Sequence, residues 1–87
     1  MKIIAIKNIA RKNVPIYYRL VYTGVAVIEA VKRTDEHPID FSIEIKPTGE
    51  KEIAVTVNGN LDYPVIPVVK ELKTVIGNMH SDGELPD

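Results

Sequence analysis

The chain contains no cysteine and no tryptophan, one phenylalanine and two methionines. Without cysteine there are no disulfides and no thiolate metal ligands, which fits a reducing compartment. Long apolar runs are also missing. Nothing approaches the roughly 20 residues of a membrane span, and the first apolar run, in "MKIIAIKNIARK", stops at Lys7, far short of a signal core. The expected setting is cytoplasmic, with no membrane partner. Catalytic signatures are absent too. Single glycines in "PTGEK" and "NGN" make no phosphate loop, and Ser42 and Ser81 lie in no nucleophile elbow. His37 and His80 belong to no recurring metal-ligand spacing. His37, in "TDEHPID", is expected in a solvated loop, and His80 near a helix end, where it would suit the dipole. The carboxylates Asp40, Glu44, Glu50 and Glu52 read as a charged, solvated face rather than an acid/base pair. No enzyme, cofactor or metal is expected.

What remains is 87 residues with 45% hydrophobic content. That is enough for one small core with a thin stability margin, which a partner subunit would reinforce. The expected layout is a single α+β domain over residues 1–80 and a frayed polar tail over 81–87, where "SDGELPD" is turn-rich.

"IDFSIEI" alternates strictly, with Ile39, Phe41, Ile43 and Ile45 on one side, and "KEIAVTV" does the same with Ile53, Val55 and Val57. Together they predict a hairpin. Setting Ile45 against Ile53 and Lys46 against Glu52 leaves a loop from Pro47 to Lys51, with Gly49 free to take positive φ. "VPIYYRLVYTGVAVIEAVKR" reads as a second hairpin turning at Thr23–Gly24, and "KIIAI" as a further strand. In "NLDYPVIPVVKELKTVIGN", the residue before each proline is biased out of the helical region. Regular helix should therefore begin within a residue of Pro67, with Pro64 in an extended lead-in. Val68, Val69, Leu72, Val75, Ile76 and Met79 then form its apolar stripe. Leu72 and Ile76 are expected against Phe41, Ile43 and Val55.

The sum is an α+β fold. Its antiparallel sheet has four to five strands in two consecutive hairpins, with one C-terminal helix on one face. The order ββββα is similar to that of small single-stranded-DNA-binding coactivator domains, a likeness of topology with no matching motif, and topology alone implies no function.

Two features bear on function. With a turn at Thr23–Gly24, one face of the first hairpin carries Tyr17, Arg19, Val21, Ala26, Ile28 and Ala30. It is largely apolar, and tyrosine and arginine are favoured at interfaces. The primary expectation is a non-enzymatic interaction module, homodimeric through this hairpin. The second feature is charge. Residues 1–33 carry seven basic residues against one acid, and residues 34–87 carry four against eleven. Either the halves neutralise each other within one sheet, or the basic half meets an acidic protein or single-stranded nucleic acid through Lys2, Lys7, Arg11, Lys12, Tyr17 and Arg19.

Overall fold

A computed structural model describes residues 1–16, 18–61 and 64–86. Four antiparallel strands follow one another in space as in sequence: β1 (Lys2–Lys12), β2 (Arg19–Ala30), β3 (Arg33–Ile45) and β4 (Lys51–Val57). One helix, α1 (Val65–Ser81), follows. Among the secondary-structure elements, α1 comes closest to the two edge strands, β1 and β4. The sheet is therefore cupped around the helix. Val68, Leu72 and Ile76 lie fully buried in one cluster with Ile28, Ile39, Phe41 and Ile43. Tyr22 and Phe41 are directly paired across β2 and β3, and their rings stack 5.1 Å apart.

The first hairpin differs from expectation. Thr23 and Gly24 lie inside β2, a single 12-residue strand, and the chain does not turn there. A side chain at Gly24 would stand 3.2 Å from Ile6 Cγ2 and 3.4 Å from the Lys7 carbonyl oxygen. Glycine is there because the backbone of β1 comes close, one of the ordinary reasons for glycine inside a strand. The actual turn is Val31–Lys32, closed by the pairing of Ala30 with Arg33. Lys32 sits at φ 63° there, in a stretch with no glycine, asparagine or proline to mark it. The "KIIAI" strand is real and extends to Lys12. It carries two irregularities, one between Ile3 and Ala5 and one between Lys7 and Ala10, the second containing Asn8 at φ 54°. Each adds one residue and resets the side-chain alternation. Ile3 and Ile6, three apart, consequently both point into the core.

"TDEHPID" is not a loop but the first half of β3. Pro38 is tolerated because its carbonyl, and hence its missing N–H, faces the side where β4 has ended. Its oxygen accepts from the Asn58 N–H at 2.9 Å, so no ladder bond to β2 is lost.

The β3–β4 hairpin forms with a register two residues from the expected one. Ile43 opposes Ile53, Phe41 opposes Val55 and Ile45 opposes Lys51. An even shift keeps every side chain on its face. The cause is the turn. The Gly49 N–H donates to the Lys46 carbonyl and the Lys46 N–H to the Glu50 carbonyl, both at 2.8 Å, with Gly49 at φ 89°. That is a three-residue loop with a glycine bulge, so the loop spans 46–50 rather than 47–51.

Helix α1 begins at Val65, two residues before the expected start, with Pro64 extended (φ −58°, ψ 130°) as its N-cap. Pro67 thus falls at the third helical position. The first four N–H groups of a helix have no intrahelical partner, so proline costs no hydrogen bond there. The bias acting on Ile66 is overridden. Gly77 is interior, and a side chain there would meet Ile53 Cδ1 at 3.4 Å, so it lets the helix lie close over β4.

The tail is more ordered than expected. The helix closes with Glu84 N–H donating to the Met79 carbonyl (2.9 Å) and Gly83 N–H to the His80 carbonyl (3.2 Å), Gly83 being at φ 72°. This is a Schellman closure. It turns the chain back, so that Leu85 packs against the core.

Leu72→Ala should destabilise the fold by about 2–5 kcal/mol through the cavity it leaves. Gly49→Ala should cost about 1 kcal/mol through left-handed backbone strain. Urea unfolding followed by circular dichroism measures both, and a Leu72→Ala midpoint equal to wild type would contradict this placement of the helix.

Candidate functional site

Directly opposed residues in antiparallel strands share a face, so the register sorts every side chain. The inner face, under the helix, receives Leu20, Tyr22, Ala26 and Ile28 from β2. The outer face receives Arg19, Val21, Thr23, Val25, Val27 and Glu29. Of the residues expected to form one contact surface, Arg19 and Val21 are outside. Ala26 and Ile28 are inside with no exposure at all, and Ala30 shares their face near the Val31–Lys32 turn. Tyr17 lies outside the described residues. The expected surface therefore does not exist as a single face, because the continuous β2 does not flip at Thr23–Gly24.

The six basic candidates divide too. Lys2, Lys7 and Lys12 pair with Glu29, Val25 and Val21 and face outward with Arg19. Arg11 pairs with Tyr22 and belongs to the inner side. Three of the outward cations are engaged: Lys7 Nζ lies 2.7 Å from Glu36, Lys12 Nζ 3.7 Å from Asp40, and Arg19 Nη2 3.1 Å from Glu44. Each pair joins the basic N-terminal half to the acidic remainder, so the two halves neutralise each other across one sheet. β1 and β3 are two strand spacings apart, about 9–10 Å. Lys7 and Lys12 therefore reach over β2, across the level of Val21, Val25 and Val27. Lysine stems suit such apolar ground. Glu44 directly opposes Glu52, a like-charge pair that Arg19 on one side and Lys46 (4.0 Å from Glu52) on the other offset.

What the outer face presents is an apolar row, Val21, Val25 and Val27, half-buried between flanking strands. The smaller Ala5, Ala10 and Ala54 and the hydroxyls of Thr23, Ser42 and Thr56 lie beside it. A depression of about 210 Å³ is lined by Arg19, Val21, Asp40, Ser42, Ala54 and Thr56. The single sheet has its one helix on the other face. The sequence signal that could have found this surface was the odd-numbered alternation of valines through β2, hidden by reading Gly24 as a turn.

His37 stands opposite Ala26, on the inner face, with its Nε2 buried and without a hydrogen-bond partner. Among the described residues no group of three or more histidines and carboxylates is placed to hold a metal ion. No helix among them is long and apolar enough to cross a membrane.

One family model, that of the BB_0187 family, matches residues 1–81. The chain belongs to this family. No curated protein and no solved structure matches it. The span that the family model matches covers the whole sheet and the whole helix, which together set both faces described above.

One titration is perturbed. His80 is held below its ordinary value of 6.5, first by burial, which disfavours the charged ring, and then by the nearby Lys51 ammonium. The unfolded chain therefore binds more protons than the native one just below pH 6.5. The stability contributed by neutral His80 is complete above pH 6.5 and is lost as pH falls through the lower native value. Stability measured by urea midpoints should decline between about pH 7 and pH 6, and His80→Gln should flatten that decline. An identical slope in wild type and variant would show that His80 does not carry it.

Proposed function

We propose that this chain is a non-enzymatic interaction module that self-associates through the outer face of its sheet. The observation that carries this reading is the unequal treatment of the two faces. One is sealed by the helix, and the other offers the Val21–Val25–Val27 row with opposite charge on its two flanks. Lys7 and Lys12 stand on the β1 side, and Glu36, Asp40 and Glu44 on the β3 side. A second copy laid face to face, rotated about an axis parallel to the strands, would set each basic flank over the partner's acidic flank. Such a patch is self-complementary, as a two-fold contact requires. Four strands about 4.8 Å apart and roughly ten residues long give a face of several hundred Å², near the lower end of what a specific contact buries per partner. The interleaving of the lysines with carboxylates counts against a phosphate-binding surface, which depends on uncompensated cations.

Light scattering tests the proposal. Wild type should scatter as twice the 9.7 kDa chain mass at concentrations of about 10–100 μM, the range typical of modest interfaces. Val25→Asp, which places a charge in the centre of the row, should yield a monomer with an unchanged circular-dichroism spectrum. A wild type that stays monomeric throughout this range refutes self-association, and a Val25→Asp dimer moves the contact to another surface.

A further inference from the structure

Beyond the sheet face, a second feature carries chemistry of its own. Where the C-terminal turn folds back, a cleft of about 320 Å³ opens between the end of α1 and the ends of β1 and β2. Its apolar walls are Leu20, Tyr22, Leu85 and Pro86, and its polar side holds Arg11 and His80. Both polar groups lack protein partners among the described residues. Arg19 and Arg33 are paired with Glu44 and Asp35, whereas Arg11 has no carboxylate. The Nδ1 of His80 is buried with no hydrogen bond. A buried ring nitrogen left without a partner is costly, and it sits beside a guanidinium whose fork is unfilled.

We propose that this cleft binds a small aliphatic monocarboxylate, its carboxylate received by Arg11 and the His80 Nδ1–H and its hydrocarbon body lying against Leu20, Leu85 and Pro86. The planar fork of arginine matches a carboxylate bidentately, and a neutral imidazole can donate one further hydrogen bond. His80 is held neutral by burial and Lys51, which leaves one positive charge lining the cleft and suits a monoanion better than a dianionic phosphate. The volume, at about 30 Å³ per non-hydrogen atom on the liquid-water measure, accommodates roughly ten such atoms. That is a chain of six to eight carbons with its carboxylate. The apolar walls exist only because the Schellman closure at Gly83 brings Leu85 and Pro86 back toward β2.

Hexanoate is a suitable probe, with hexanol and inorganic phosphate as controls. On titration, the His80 ring and Leu85 methyl resonances should shift saturably, with Kd of about 1 mM or below. Arg11→Ala should weaken binding at least about tenfold, as should Arg11→Gln, which keeps a polar side chain without the charged fork. Arg11 is exposed and unpaired, so both variants should retain the wild-type circular-dichroism spectrum. His80→Gln, which removes the ring donor, should weaken hexanoate by a smaller factor. Three results would overturn the proposal: no saturable shift up to about 50 mM hexanoate, far above a meaningful small-ligand affinity; equal binding by the Arg11 variants and wild type; or hexanol or phosphate binding as tightly as hexanoate. None of these readouts depends on the oligomeric state.

Discussion

Burial of one helical stripe organises this protein. Val68, Leu72 and Ile76 project into the concave side of a single sheet, where Ile28, Ile39, Phe41 and Ile43 meet them. A chain this short has only one core, and a single layer of helix can seal only one side of a sheet. Several details serve the close approach of the two layers. Gly77 has no side chain over Ile53, Gly24 admits the backbone of β1, and the glycine closure at Gly83 adds Leu85 to the rim. The outer face is open because the helix is committed to the inner one.

That commitment also explains the charges. The N-terminal half is basic and the remainder acidic, yet consecutive strands lie side by side, so β1 ends up two strands from β3. Ion pairs bridging that gap, Lys7 to Glu36 and Lys12 to Asp40, run across the outer surface of β2. Exposed pairs of this kind contribute little stability, roughly 0–1 kcal/mol each. Their consequence is for recognition. They leave an electrically balanced sheet with opposite flanks instead of a uniformly basic one.

Legibility in the sequence followed the range of the interaction. The alternation in β3 and β4, the stripe of α1 and the left-handed glycine at position 49 are local, and each is readable from a few neighbouring residues. The contact surface is readable only in part. Arg19 and Val21 do lie on the open face, but Ala26 and Ile28 belong to the core. Reading Gly24 as a turn accounts for the difference, because a two-residue turn reverses which side each later residue faces. Gly83 followed by Pro86 is a readable helix stop, and it marks the fold-back of a tail whose polar composition suggests fraying.

The sequence by itself determined which segments are extended and which is helical, where the β3–β4 chain reverses, and that Leu72 and Ile76 face inward. These follow from periods of 2 and 3.6, a property of each segment alone. Only the tertiary structure decided the rest. Irregularities in β1 put Ile3 and Ile6 on the same side. An unmarked Val31–Lys32 turn kept β2 whole, and the resulting register settled which valines and which charges share the open face. Register depends on backbone contacts between strands far apart in the chain, such as Gly24 against Lys7, and no single segment carries that information.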